Sequence, residues 1–291
     1  MSGPLPVCYL NGEYLPLAQA RISPLDRGFL FGDAVYEVLP VYDARPFRLR
    51  RHLERLDRSL AGIRMQPSLA HEDWAQICQQ LVSRNAVTEA YLYLQVSRGM
   101  EFGRNHAWPD NLQPTVFAYC SQLEPLAAAL LERGVAAVTA PDIRWARRDI
   151  KSTALLANIL LKKLAADAGA FETILLEDGQ LTEGSSTTVH VVSGGRVYTP
   201  PNGHHILPGT TRDVVTELAQ QLGIPVCSVA VSEAQLRGAE EIWLAFSTRG
   251  VLPVTRLDGK AVGAGRPGPL FQRLNAAFGN YVHGLAGTPA L

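Results

Sequence analysis

The chain has little of what would commit it to nucleic acid, membrane or metal. Lysine plus arginine and aspartate plus glutamate both number 27, so the net charge is zero. Without an excess of positive charge, diffuse attraction to nucleic acid is not a driving force. No apolar run approaches the length of a membrane span. Cysteine is sparse and dispersed, at Cys8, Cys78, Cys120 and Cys227. No two stand close enough for a zinc knuckle or a redox pair, and scattered thiols predict a reducing compartment. Residues 1–10 carry two prolines, no basic residue and no apolar core of leader length. No Asn-x-Ser/Thr acceptor occurs. The expectation is a cytoplasmic protein with no nucleic-acid, membrane or metal partner. Walker, HExxH and GxSxG patterns are also missing. Gly263-x-Gly265-x-x-Gly268 matches a dinucleotide fingerprint only as a pattern, since Pro267 and Pro269 interrupt it and no βαβ context surrounds it. The doublet His204-His205 reads as a solvated or interface turn, because adjacent residues of a strand point apart and no carboxylate stands nearby in sequence.

What is there is a globular composition. Hydrophobic residues make up 47 % and charged residues 19 % of 291, enough for one large or two ordinary domains. Asn11-Gly12 between Val7–Leu10 and Glu13–Leu17 predicts a hairpin, as does Asp178-Gly179 after Phe171–Leu176. Residues 34–42 read as a strand that Pro40 ends or places at an edge. Leu49, Leu53, Leu56 and Leu60 fall on one face of a helix over 47–63. A second helix is predicted over 71–84, and strands over 90–97 and 115–120. A boundary falls near 121–125. Strands follow over 135–140 and 143–150, then a helix capped by Ser152 or Thr153 and stopped by Gly169. Further strands are predicted over 189–192, 196–198 and 242–246, with helices over 210–222 and 270–281. Mixed strands with segregated helices predict an α+β protein of two domains, 1–120 and 121–291, the second carrying Lys151.

Three segments carry chemistry in combination. Lys151 stands at a predicted strand-to-helix junction beside Arg147 and Arg148, where burial and positive neighbours favour the neutral amine that a Schiff-base lysine needs. Glu183, in Thr182-Glu183-Gly184-Ser185-Ser186, is a carboxylate able to keep a pyridine nitrogen protonated. Thr210 and Thr211 open a helix after Pro208-Gly209, where free N–H groups and hydroxyls make an anion seat. Arg55, read as lying on the exposed side of its helix with Arg51 and Arg58 near it, is a candidate phosphate ligand. Each has an ordinary explanation alone: a surface lysine, a loop glutamate, a threonine cap, a solvated arginine face. Together they supply an amine, an acid for a ring nitrogen and a phosphate seat.

These residues resemble the fold-type IV pyridoxal-phosphate enzymes: branched-chain aminotransferases, D-amino acid aminotransferases and aminodeoxychorismate lyase. The resemblance runs from about Tyr9 to Lys260. Asp26-Arg27-Gly28-Phe29-Leu30-Phe31-Gly32-Asp33 resembles the family's early loop. Asp142-Ile143-Arg144-Trp145 through Asp149-Ile150-Lys151-Ser152 resembles its cofactor-lysine segment. Thr182 to Ser186 and Gly209-Thr210-Thr211-Arg212-Asp213 resemble its ring-nitrogen and phosphate segments. Val35-Tyr36-Glu37-Val38 and Arg104-x-His106 resemble the D-amino acid branch in particular.

The resemblance implies a two-domain fold with pyridoxal 5′-phosphate in the cleft between the domains. Lys151 is then catalytic and binds the cofactor together with Glu183, Arg55, Thr210, Thr211 and Ser247. Tyr36, Arg104 and His106 trap the substrate carboxylate, the last two reaching in from a neighbouring subunit of a homodimer. Val38, Leu207 and Thr248 border the substrate. The activity implied is amino transfer between a D-amino acid such as D-alanine and a 2-oxo acid such as 2-oxoglutarate. The alternatives on the same fold are the lyase and transaminases for branched-chain L-amino acids or amines. Thr188, Pro40 and Arg249 depart from the family pattern, Thr188 where asparagine is usual and Arg249 where a small polar residue is.

Overall fold

A computed structural model of the chain describes residues 3–123 and 126–284. They form two compact units. The first takes residues 3–123 and Ile150–Ala154; the second takes 126–149 and 155–284.

In the first unit, β1 (Pro4–Leu10) and β2 (Glu13–Pro16) form the predicted hairpin, with Asn11 at φ 48 and Gly12 at φ 101. A one-turn α1 (Arg27–Phe31) is capped by the Asp26 carboxylate. Then come β3 (Ala34–Tyr42), β4 (Arg45–Pro46), α2 (Leu49–Gly62), α3 (His71–Arg84), β5 (Ala90–Ser97) and β6 (Thr115–Gln122). Among the described residues the sheet has six strands, ordered β2-β1-β6-β5-β3-β4 and antiparallel throughout. Val35, Leu39 and Val41 of β3 join the core with Leu49, Leu53, Leu56 and Leu60 of α2 and Trp74, Ile77 and Leu81 of α3. The other face carries an aromatic row in which Tyr36 stacks on Tyr93, which meets Tyr119. Pro40 does not end β3, which stays in register with β5 as far as Val41. The Pro40 carbonyl accepts from Phe47 N–H on the β4 side. The missing proline N–H points the same way, so no bond to β5 is lost.

The second unit holds α4 (Ala128–Arg133), β7 (Val135–Pro141), α5 (Leu156–Asp167), β8 (Glu172–Glu177), β9 (Gln180–Gly184), β10 (Thr188–Ser193) and β11 (Arg196–Thr199). It continues with α6 (Thr210–Gln221), β12 (Val226–Ser228), α7 (Glu233–Arg237), β13 (Glu241–Phe246), β14 (Gly250–Leu257), β15 (Lys260–Ala261) and α8 (Pro269–Gly284). Its described strands form one mixed sheet, β12-β11-β10-β13-β14-β7-β8-β9, with β15 added to β14. The contacts β12/β11, β14/β7 and β7/β8 are parallel. Both units are thus α+β, with the mixed strands confined to the second.

Two predictions around Lys151 fail. Residues 143–150 form an irregular segment instead of a strand. Its backbone N–H groups bond elsewhere, Arg144 N–H to Asp142 Oδ1 and Arg148 N–H to His204 O, and such bonds replace a strand ladder. Neither Ser152 nor Thr153 caps a helix. Ser152 pairs with Val35, Thr153 Oγ1 donates to Gly32 O, and α5 starts only at Leu156. This pairing with β3 draws Ile150–Ala154, and Lys151 with it, into the first unit. Among the described residues no helix is long and apolar enough to cross a membrane.

Candidate active site

The Lys151 backbone is held from two sides. Its carbonyl accepts from Tyr36 N–H at 3.0 Å, and its N–H donates to Ser59 Oγ at 3.1 Å. The side chain is half-buried, with Nζ 4.2 Å from the centroid of the Tyr36 ring. Among the described residues Nζ makes no hydrogen bond or ion pair. The chain's other lysines differ: Lys162 donates to Phe171 O, Lys163 pairs with Asp167, and Lys260 is exposed. The two arginines expected to press on the amine are matched by anions instead, Arg147 by Asp149 and Arg148 by Glu177. Val38 is half-buried two residues along β3, on the same face as Tyr36.

Arg55 corrects the sequence reading. It is only 3 % exposed, not on the outer face of α2. Its Nε and Nη2 bind the two oxygens of Glu37 at 2.7 and 2.8 Å, and His52 Nδ1 meets Glu37 at 2.8 Å. Burial alone would push the Glu37 carboxyl up; the Arg55 guanidinium and His52 override it and hold it at about 2. Burial also pushes His52 down, leaving a neutral ring whose Nδ1–H donates to Glu37. Glu37→Gln removes the charge that pairs with buried Arg55 and is expected to cost about 3–5 kcal/mol in urea unfolding. Because the folded carboxyl is depressed, its contribution is complete above the ordinary value of 4.5 and is lost as pH falls toward about 2. The gap between wild type and E37Q should narrow over that window; a gap constant with pH would show that the charge is not the cause.

Arg104 and His106 lie in an exposed loop, and both rest on the Phe31 ring, 5.2 and 5.5 Å from its centroid. Arg27 pins this loop by donating to Asn105 O and His106 O, and is itself held by Asp33 and Glu101. Among the described residues no bond or ring contact joins Arg104 or His106 to Tyr36.

In the second unit Glu183 is 5 % exposed at the end of β9. Arg144 Nη1 bonds one of its oxygens, and Leu207 N–H donates to the other at 3.2 Å. Burial raises its pKa above the ordinary carboxylate value despite the Arg144 charge. Arg144 is anchored in turn by Asp142, at 2.7 Å, and Thr182 Oγ1 donates to Asp142. The sequence reading gave Arg144 and Asp142 no role; the signal was their two-residue spacing, which lets one side chain clamp the other. Leu207 contributes its backbone here.

At the start of α6, Gly209 is the N-cap and no side chain caps the helix. The first intrahelical bond is Asp213 N–H to Gly209 O, so the three preceding N–H groups have no partner within the helix. Thr210 and Thr211 are buried there, and Ser247 Oγ lies 3.3 Å from Thr210 Oγ1. A Cβ at Gly209 would stand 2.6 Å from Thr188 Oγ1, so a larger residue would force that side chain to shift. Thr248 follows Ser247 in the turn between β13 and β14. The histidine doublet does have carboxylates near it: His204 meets Asp149 at 3.0 Å and His205 meets Glu177 at 2.8 Å. Among the described residues no cluster of three metal-ligating side chains occurs.

The first unit thus holds an anchored lysine, and the second holds a buried carboxylate and a helix start with three N–H groups unbonded within the helix. The chain belongs to the class IV amino-transferases, whose family model matches residues 34–257. It is 38 % identical over 272 residues to the D-alanine aminotransferase of Bacillus licheniformis, covering 94 % of this chain and 95 % of that one. It is 35 % identical to the D-alanine aminotransferase of Staphylococcus aureus strain MSSA476, covering 94 % and 97 %. The branched-chain amino acid aminotransferase of Escherichia coli superposes with a TM-score of 0.90 at 28 % identity, over 95 % of this chain and 94 % of the other. A second branched-chain amino acid aminotransferase, from T.th. and solved with pyridoxamine 5′-phosphate, gives 0.89 at 26 % identity, over 97 % and 96 %.

Proposed function

We propose that the chain is a pyridoxal-phosphate-dependent aminotransferase that moves an amino group between a D-amino acid, such as D-alanine, and a 2-oxo acid, such as 2-oxoglutarate. The observation that carries this reading is the Lys151 amine, half-buried over the Tyr36 ring with no anion beside it. The residues fit the cofactor: the hydroxyls of Thr210, Thr211 and Ser247 and the free N–H groups at the helix start suit a phosphate. The bound cofactor supplies an aldehyde and an electron-withdrawing ring. Glu183, oriented by Arg144 and the Leu207 N–H, would hold a proton at the ring nitrogen. Lys151 Nζ would hold the cofactor through its aldehyde, and as a free amine would take the proton from the substrate Cα. Arg55 is assigned to the phosphate, with Glu37 fixing the plane of its guanidinium. Tyr36, Arg104 and His106 are assigned to the substrate carboxylate, and Val38, Leu207 and Thr248 to the rest of the substrate.

A homodimer fits the exposed apolar stripe of Leu156, Ile159, Leu160 and Leu164 along α5. A reducing cytoplasm fits the free thiols of Cys8, Cys78, Cys120 and Cys227. Incubating the protein with D-alanine and 2-oxoglutarate and following pyruvate tests the activity. The structural neighbours favour one second reading, a branched-chain L-amino acid transaminase, which faster turnover of L-leucine or L-valine would establish.

Glu183→Gln keeps the shape and loses the charge. Its kcat is expected to fall about 10²–10³-fold with a smaller change in KM, the pattern of lost transition-state stabilisation. Near-wild-type kcat in E183Q would show that this carboxylate does not serve the ring.

A further inference from the structure

The turn between β13 and β14 holds a charge that nothing among the described residues neutralises. Phe246 and Gly250 are the last register pair of this hairpin, so Ser247, Thr248 and Arg249 form the connection. The turn is fixed in place. Gly250 has φ 74, and a Cβ on it would stand 2.9 Å from the Phe278 ring. At the other end the Ser247 hydroxyl meets Thr210 at the start of α6.

Arg249 is half-buried. Every other arginine of the second unit that is not exposed has a partner. Arg144 binds Asp142 and Glu183, Arg147 binds Asp149, Arg148 binds Glu177, and Arg212 donates to Asn202 Oδ1, Pro200 O and Ser228 Oγ. Among the described residues the Arg249 guanidinium has no hydrogen bond and no ion pair. A cation partly withdrawn from water without a partner is unfavourable, and a bound anion offsets that cost. The planar fork of an arginine matches a carboxylate through two parallel bonds.

We infer that Arg249 binds the second carboxylate of a dicarboxylic substrate and makes the enzyme selective for D-glutamate, D-aspartate and 2-oxoglutarate over their monocarboxylic counterparts. This rests on the transaminase reading above. A second anion within the same chemistry is the cofactor phosphate. The seat proposed for it already offers helix N–H groups and three hydroxyls, and it is Ser247, not Arg249, that contacts α6.

The test compares wild-type holoenzyme with Arg249→Ala on paired substrates. For D-glutamate, kcat/KM is expected to fall about 10–100-fold, the size of a lost charge-assisted pair, while D-alanine changes by no more than about threefold. R249K should recover part of the difference, since it keeps the charge and loses the fork. Glutarate binding, read from the absorbance of the bound cofactor, should weaken in R249A while butyrate binding does not. Equal losses for both amino acids, or none for either, overturn the inference. So does weaker cofactor binding with unchanged discrimination, which would assign Arg249 to the phosphate. If the wild type acts only on L-amino acids, the D-specific reading fails on its own, and the ratio of L-glutamate to L-leucine decides Arg249 in the same way. Should R249A not fold, R249K and R249Q give that ratio.

Discussion

Replacing Lys151 by alanine is expected to lower turnover by about 10⁴-fold, because the proposed assignment gives one side chain both the cofactor and the proton at the substrate Cα. The chain contains four lysines, and three are disqualified by their surroundings. Lys162 is bonded to a backbone carbonyl, Lys163 pairs with a carboxylate one turn along its helix, and Lys260 sits exposed at a strand end. Only Lys151 combines partial burial, a backbone fixed by Tyr36 and Ser59, and an amine without an anion. Borohydride reduction of the yellow holoenzyme followed by peptide mapping should place the label on Lys151. Label on Lys162, Lys163 or Lys260 would refute the assignment. K151A should still bind some cofactor, since the hydroxyls at the start of α6 are untouched. A variant that loses all affinity would show that the seat depends on the lysine more than its geometry suggests.

How much of this was legible in the sequence follows from which forces are local. The hairpin turns at Asn11-Gly12 and Asp178-Gly179 need left-handed backbone at both positions, and their residue types announce it. The leucine row of α2 was equally plain. Arg55 was misread because the helix buries two adjacent rows. Leu49, Leu53, Leu56 and Leu60 form one, and His52, Arg55 and Ser59 form the next. Hydrophobic periodicity sees the first row and assigns the second to solvent. The buried Glu37 of β3 pairs with His52 and Arg55 of that polar row, and the Lys151 N–H donates to Ser59, all contacts distant in sequence.

The segment before Lys151 failed for a related reason. Residues 143–150 have the composition of a strand, but Arg144 and Arg148 find Glu183 and Glu177 across the fold, and Arg148 N–H donates to His204 O. Ser152 and Thr153 have the chemistry of helix caps, yet Ser152 pairs with Val35 of β3 and Thr153 N–H donates to Ala34 O at its start. Motif spacing nonetheless singled out Lys151, Glu183, Thr210 and Thr211 as candidates, because a chemical requirement acts on residue type directly. It missed the supports around them, Asp142, Arg144, Glu37 and Ser59, whose roles exist only in three dimensions.

The second large effect expected is a preference for D-alanine over L-alanine of about 10²–10³-fold, the size of two charge-assisted bonds lost when the carboxylate is misplaced. The bond broken at Cα must stand perpendicular to the cofactor ring and face Lys151. Fixing the carboxylate on one side therefore decides which enantiomer can present its hydrogen to the amine. Arg104 and His106 are suited to fix it. Their loop is tied down by Arg27, which donates to the Asn105 and His106 carbonyls while Asp33 and Glu101 hold its own guanidinium. Both side chains rest against Phe31, which limits their swing. Arg104→Ala should raise KM for D-alanine and for pyruvate alike, about 10–100-fold, because both carry the same carboxylate. That pattern separates it from Arg249→Ala, which should act only on substrates with a second carboxylate. Steady-state kinetics of both half-reactions decide the matter. An unchanged KM in both, or faster turnover of L-leucine or L-valine than of any D-amino acid, would remove Arg104 and His106 from the carboxylate and return the chain to the branched-chain reading.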